Sequence, residues 1–419
     1  MDGSSNGQWP TIPLGEVATL VMGQAPTGGS VQDWDEESDG KHTAGLPFIQ
    51  GNAEFGTRFP KPTKWCEQPS KVARAGDFLI SVRAPVGDLN QADQSLAIGR
   101  GLAAIRFHGV DERFGWQSLW EARKAFARVS QGSTFEAINA RDLATLAIPV
   151  PPPLMQTRIG EVLDAIDLAI EKTEAVIEAT ETLRKALLQE LLTRGIPGWH
   201  SEWKTVPGIG TIPARWEVVK LGEVTSEFQY GTSSKSGSDV TGVPVLRIPN
   251  VARGTLDLTD LKYGLLPKRE LDSLRLRDGD LLFVRTNGNP DICGRVAHVS
   301  GLRGDWAFAS YIVRTRTHQR LAPLFIWHYL SQENGRRALA KHIRTSAGNF
   351  NLSVSGVRQL DIPLPLPEEQ LRICELVGAL EERIRQERQV LTHLRAIKRE
   401  TASVLLSGRV RVPVGVGDA

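Results

Sequence analysis

A chain of 419 residues is longer than one ordinary hydrophobic core organises, and 50 basic against 48 acidic side chains leave a formal charge of +2 that favours no class of partner. Three cysteines, Cys66, Cys293 and Cys374, without a CxxC spacing, exclude a disulfide framework and a cysteine-rich metal site. No uncharged apolar run approaches the roughly 18 residues of a membrane span and no leader-like start is seen, so a soluble, cytoplasmic protein is expected.

Taken in order, the chain says the same thing twice. After a Gly/Ser-rich start, Trp9 leads into Leu14-Gly15-Glu16-Val17, and Trp216 leads into Leu221-Gly222-Glu223-Val224, a separation of 207. Gly/Ser-rich loops follow, at 23–30 and 231–238. A short strand ending in asparagine comes next, Pro47 to Asn52 and Pro244 to Asn250. Gly76-Asp77 and Gly279-Asp280 then read as turns feeding buried strands that finish on Arg83 and Arg285, each entering a Pro/Gly/Asn loop. Further strands, Leu102 to Phe107 and Tyr311 to Thr315, precede helical stretches at Phe114 to Val129 and Pro323 to Ile343. Polar loops containing Ser133 and Thr134, or Asn349 and Asn351, close each copy before Ile148-Pro149 and Ile362-Pro363, 214 residues apart.

Beyond each of these pairs a proline clamp opens an amphipathic stretch of about forty residues. Ile159, Val162, Ile166, Ile170, Thr173, Ile177, Thr180, Leu187 and Leu191 form one apolar stripe; Ile373, Leu376, Leu380, Ile384, Leu391, Leu394, Thr401 and Leu405 form the other, broken by Glu387 and Arg388. A helix of that length spans roughly 60 Å and needs a partner along it. Residues 151–196 carry five basic and eight acidic side chains and 367–419 nine and eight, which favours pairing with each other, antiparallel, with the globules at opposite ends. The reading is an α/β (α+β) chain of two repeated globules, 1–150 and 197–366, two long helices, 151–196 and 367–412, and a tail, 413–419.

The charge is uneven. Residues 1–150 hold 14 basic and 17 acidic side chains, net −3, whereas 197–366 hold 22 and 15, net +7, and 16 of those 22 are arginine. Arginine suits phosphate oxygens and guanine edges, although surface arginine also serves solubility.

The residue sets that catalysis needs are missing. There is no GxxxxGK[ST], HExxH or GxSxG, and no asparagine-proline-proline-aromatic set. Gly99-Arg100-Gly101-Leu102-Ala103-Ala104 fits GxGxxA in form, but strand-like alternation follows it where a helix should open. Asp278 and Asp280 flank a turn glycine and read as structural. No catalytic residue, metal ligand or cofactor site is assigned.

With these features on view, the chain resembles the specificity subunit of type I restriction-modification systems. The resemblance rests on the paired boundaries, "IPVPPPLMQTRIGEVLDAID" with "LRKALLQELLTRG" and "IPLPLPEEQLRICELVGAL" with "IKRETASVLLSGR", and on the Leu-Gly-Glu and Gly-Asp phrases, and it covers nearly the whole chain. The first clamp has Leu154-Met155-Gln156 where Pro367-Glu368-Glu369-Gln370 keeps the family's acidic pair. The resemblance implies a protein with no chemistry of its own, in which each globule is a target recognition domain reading half of a split double-stranded DNA target. It further implies that the helices dock two methyltransferase subunits, that motor-nuclease subunits join for restriction, and that S-adenosylmethionine and ATP belong to those partners.

Two linked readers of three or four base pairs, at about 1–3 kcal/mol per pair, roughly double the discrimination of one. A rigid separation near one turn of DNA, about 34 Å, would set both on one face of the duplex. Candidate base contacts are loop residues beside strand ends: Arg285, Asn287, Asn289, Arg83, Ser133, Thr134, Asn349 and Asn351. Lys61, Lys64, Arg247 and Lys235 are candidate phosphate contacts. Turn formation and solvation explain the same residues without DNA, and a coiled-coil scaffold with protein-binding globules is the alternative function.

Overall fold

The computed structural model describes residues 8–34, 44–132, 137–226, 228–238, 241–346 and 348–413, the side chains of 124–132 excepted. The chain is mixed α/β and divides into two compact units, Met1–Ala175 with Arg388–Ala419, and Val176–Glu387. Each unit thus holds one globule and half of each long helix.

In the first unit Ala18–Met22, Leu102–Phe107, Phe78–Ser81 and Leu89–Gln91 form an antiparallel sheet in that order. A second sheet orders Val31–Asp33, Lys64–Cys66, Leu46–Ile49, Leu96–Ile98 and Val72–Ala73, with Leu46–Ile49 parallel to Leu96–Ile98. The second unit has the same plan. Gln229–Tyr230, Ile312–Thr315, Leu281–Val284 and Val296–His298 take the corresponding order, and Val243–Leu246 runs parallel to Ala307–Phe308. The strands Phe78–Ser81 and Leu281–Val284 are buried on both faces, which is why they read as continuous apolar runs instead of alternating ones.

The repeated Leu-Gly-Glu phrase is a single helical turn, Leu14–Val17 in one unit and Leu221–Glu223 in the other. Its leucine is fully buried in both. Its glycine admits the short helices Ala140–Ala144 and Val354–Arg358: a Cβ on Gly15 would lie 3.1 Å from the Ala144 Cβ, and one on Gly222 3.0 Å from the Arg358 carbonyl oxygen.

The helical stretch expected over 323–343 is two helices, Pro323–Ser331 and Glu333–Ala340. The break falls at Gln332, which is extended (φ −79°, ψ 166°), and Gly335 then lies so close that a Cβ would come 2.2 Å from the Tyr329 carbonyl oxygen. Ile343–Ser346 and Asn349–Leu352 pair as an antiparallel hairpin where only a polar loop was expected.

Both long helices form, Pro153–Arg194 and Pro367–Leu406. In the first unit Ile159 and Leu163 share a core with Ala402, Leu405 and Leu406, together with Trp9 and Phe114 of the globule. Lys398 pairs with Asp167, and Arg395 with Glu174 at 2.7 Å, so numbers rise along one helix as they fall along the other: the pairing is antiparallel. In the second unit Leu188, Leu191 and Leu192 join Ile373, Cys374 and Val377 in one core with Trp216 and Phe325. There Arg184 reaches Glu381 at 3.5 Å. Burial raises the Glu381 pKa and the guanidinium opposes the rise.

Each long helix is bolted to its globule by a buried glutamine. Gln156 donates to the Pro151 carbonyl (2.8 Å) and accepts from the Asp111 amide (2.8 Å); Gln370 donates to the Pro365 and Arg320 carbonyls and accepts from the Ala322 amide (2.7 Å). Glu369 beside it, also buried, accepts from the Trp216 indole (2.8 Å), the Ile196 amide and His200. All three cysteines are free and buried. Among the described residues no helix is long and apolar enough to cross a membrane.

Candidate nucleic-acid interface

A surface that reads DNA must hold its loop residues against rigid strand ends, and the Gly-Asp turns supply that rigidity. Gly76 and Gly279 both have φ +89°, a conformation that costs glycine little. Asp77 accepts from the Arg74 amide (2.8 Å) and from Arg106, Nε at 2.7 Å and Nη2 at 2.5 Å. Asp280 accepts from the Arg277 amide (3.0 Å) and from Arg316, Nε at 2.5 Å and Nη2 at 3.1 Å. Both carboxylates are buried and doubly bonded to one arginine fork, the geometry that makes such a pair strong. The aspartates are therefore structural: they lock the turn to the neighbouring strand.

In the second unit the locked strand Leu281–Val284 runs out through Arg285 into Thr286–Asn287, which pairs with the hairpin strand Asn349–Leu352, Thr286 opposite Asn351 and Asn287 opposite Phe350. Four of the residues expected at the interface, Arg285, Asn287, Asn349 and Asn351, are brought together this way. The Asn287 side-chain oxygen accepts from the Asn289 amide (2.8 Å), and that of Asn289 from the Asp291 amide (2.9 Å), consecutive turns that shape the loop. The guanidinium carbon of Arg285 lies 5.1 Å from the centre of the Tyr230 ring. Tyr230 and the nearby Tyr311 are 47% and 56% exposed.

Alongside lies a groove of about 380 Å³ lined by Thr232, Ser234, Ser310, Tyr311 and Arg247 among others. Arg247 is bound to Asp260, 2.9 Å from Nη2 to the carboxylate and 3.1 Å to the carbonyl. Arg247 and Lys262 together hold the Asp260 pKa down, so much of the Arg247 charge is already answered. Lys235 is exposed on the loop rimming the groove.

The first unit presents a different surface. Arg83 is exposed and bridges Ala137 across an isolated antiparallel contact; Lys64 is exposed at the start of the strand Lys64–Cys66 of the other sheet and Lys61 is exposed just before it. Ser133 and Thr134 lie outside the described residues. Arg58 stands 5.9 Å from both the Phe59 and Trp116 rings. Sequence reasoning passed over Arg58, Tyr230, Tyr311 and the exposed hairpin residue Arg344; tyrosines adjoining loop residues Gly231 and Ser310 were the available signal.

The two arginines expected to match do not. The Arg285 amide donates to the Tyr311 carbonyl and the Val82 amide to the Gly101 carbonyl, both at 2.9 Å; the Arg285 carbonyl accepts from Leu352 and that of Val82 from Ile138. Arg285 thus stands where the first unit has Val82, and Arg83 stands where the second has Thr286. A shift of one residue along a strand turns a side chain to the opposite face.

The two units share one scaffold and differ at its tips, and residues 6–180 match the family described as type I restriction modification DNA specificity domain. Proteins similar in sequence include the type I restriction enzyme MjaX specificity subunit of Methanocaldococcus jannaschii, 38% identical over 44% of this chain and 43% of that one. The EcoKI specificity subunit of Escherichia coli K12 is 26% identical over 65% of this chain and 58% of its own. These two matches span about half the length of the relatives. A crystal structure of the type I restriction-modification S subunit from M. genitalium superposes with a TM-score of 0.58 over 97% of this chain and 98% of that one, at 16% identity, a likeness of fold.

Proposed function

We propose that the chain is the non-catalytic DNA-recognition subunit of a type I restriction-modification complex in the cytoplasm. In this reading residues 1–150 and 197–366 each read one half of a split, asymmetric target. The observation that carries it is the repeated scaffold with dissimilar tips: Asp77 and Asp280 lock the same strand, yet the strand ends in Val82 and Arg83 in one unit and in Arg285 and Thr286 in the other. Two copies of one fold that differ where loops meet the outside are suited to two different half-sites.

The helices 151–196 and 367–412 would set the gap between half-sites and dock two methyltransferase subunits, with motor-nuclease subunits joining for restriction. S-adenosylmethionine and ATP would be bound by those partners. Docking is supported by apolar side chains outside the paired stripes: Leu168 and Leu183 on the first helix and Val390 and Ile397 on the second are 45–55% exposed. Scattered apolar exposure is ordinary, but on long paired helices it offers a partner helix a seat.

Expression with the cognate methyltransferase subunit in a methylation-free host, followed by long-read mapping of modified bases, tests the proposal. A single motif of two short half-sites with a fixed unread gap is expected. No modified motif, with both proteins present and associated, would favour a protein-binding scaffold instead.

A further inference from the structure

We propose that Arg285 is the residue through which the second unit specifies a guanine, and that Tyr230 is the positioning residue that holds its guanidinium for that contact. The inference deepens the reading above and rests on it. Three positions at the same end of the four-stranded sheet carry the argument. Tyr230 pairs with Val313 as Met22 pairs with Ala103, and the amide bonds already described place Arg285 at Val82 and Tyr311 at Gly101. The first unit fills this end with half-buried Met22, buried Val82 and no side chain at Gly101. The second unit fills it with a tyrosine, an arginine and a tyrosine.

A half-buried arginine at a core strand's end needs a reason. Other arginines of this unit find oxygen partners: Arg247 has Asp260, Arg275 has Asp272 and Asp305, Arg316 has Asp280, Arg320 has Glu217 and Arg337 has Glu333, while half-buried Arg295 and Arg336 donate to backbone carbonyls. No carboxylate among the described residues pairs with Arg285; its partner is the Tyr230 ring, 5.1 Å away. Packing on an aromatic face restrains the planar fork and leaves its N–H edge for an outside acceptor. Guanine O6 and N7 form the two-point acceptor that such a fork matches.

The surroundings fit a duplex edge. Asn351 stands opposite Thr286, one residue beyond Arg285, and the groove beside Tyr311 is lined with serine and threonine hydroxyls suited to sugar and phosphate oxygens. A phosphate contact by Arg285 is the competing role. The two separate cleanly, because loss of a phosphate contact weakens all sequences alike whereas loss of a base contact relaxes one position.

The test is the methylation map of the complex with Arg285→Val, Arg285→Lys, Tyr230→Met and Tyr230→Phe. Valine and methionine are what the first unit carries at these positions, so the scaffold accommodates them. Arg285→Val is expected to relax one G·C pair in one half-site, by roughly 5- to 150-fold in discrimination, and Arg285→Lys to relax it less, since an ammonium reaches the same acceptors without the fork, with the other half-site and the gap unchanged. Tyr230→Met should relax the same pair in part and Tyr230→Phe should restore it. Uniform loss of methylation with the preferred base retained, or discrimination intact in Arg285→Val, would overturn the proposal while leaving the split target standing. A wild-type complex without a split motif would overturn the underlying function instead.

Discussion

A carboxylate with almost no exposure, as Asp77 and Asp280 have, is tolerable only when its charge is answered on the spot, and removing one partner of such a pair leaves the other uncompensated. Asp280→Asn is therefore expected to cost about 3 kcal/mol in urea unfolding of the second unit, and Asp77→Asn a similar amount in the first. A loss within 0.5 kcal/mol of zero would contradict the lock, the scatter expected at an ordinary surface site being about that size. The Gly-Asp turns were legible in the sequence as entries to strands. Their arginine partners were not, because Arg106 lies in a strand 29 residues further on and Arg316 follows a strand, 36 residues further on. His328 gives a second test at this scale. Burial, with Arg184 and His298 nearby, pushes its pKa down from 6.5 to about 4. The folded chain holds it neutral while the unfolded chain takes up a proton, so its contribution is intact above pH 6.5 and lost as pH falls towards 4. Between pH 7 and pH 5 the wild type should lose about 2 kcal/mol more than His328→Leu, measured by urea unfolding at both values; parallel losses would contradict it.

At the scale of elements, the long helices were plain from their stripes because a single apolar face on forty residues has few alternative uses. Their attachment was hidden. Gln156 and Gln370 look like ordinary polar residues in a first helical turn, yet each spans the proline clamp and the start of the globule's own helix. Gln370→Ala removes the partner of a buried amide and of two carbonyls, and a loss of about 1–3 kcal/mol is expected, with Gln370→Glu failing to restore it because the two carbonyls need donors. Denaturant unfolding of the two variants side by side checks this. Periodicity was also misleading in one place. The apolar pattern after Pro323 continues past Gln332, but the helix breaks at that extended residue, and the close approach of Gly335 to the Tyr329 carbonyl belongs to a break that only the packed structure reveals.

For the whole molecule, the repeat at separations near 207–214 predicted two like globules, and the matching strand orders bear that out. The membership of the compact units was not legible. Each unit takes half of both long helices, because Ile159 and Leu163 pack with Leu405 and Leu406, and Leu191 and Leu192 pack with Ile373, contacts between residues about 180–245 positions apart that no local pattern encodes. The central claim is that the two globules read separate half-sites, and the most direct measurement is competition binding of the methyltransferase complex to four duplexes: target intact, either half scrambled, and both scrambled. Each single scramble should weaken binding by several kcal/mol, at about 1–3 kcal/mol per mismatched pair, and Arg285→Val should shrink the loss for one half only. Equal shrinkage at both halves, or a half whose scrambling changes nothing, would contradict the account.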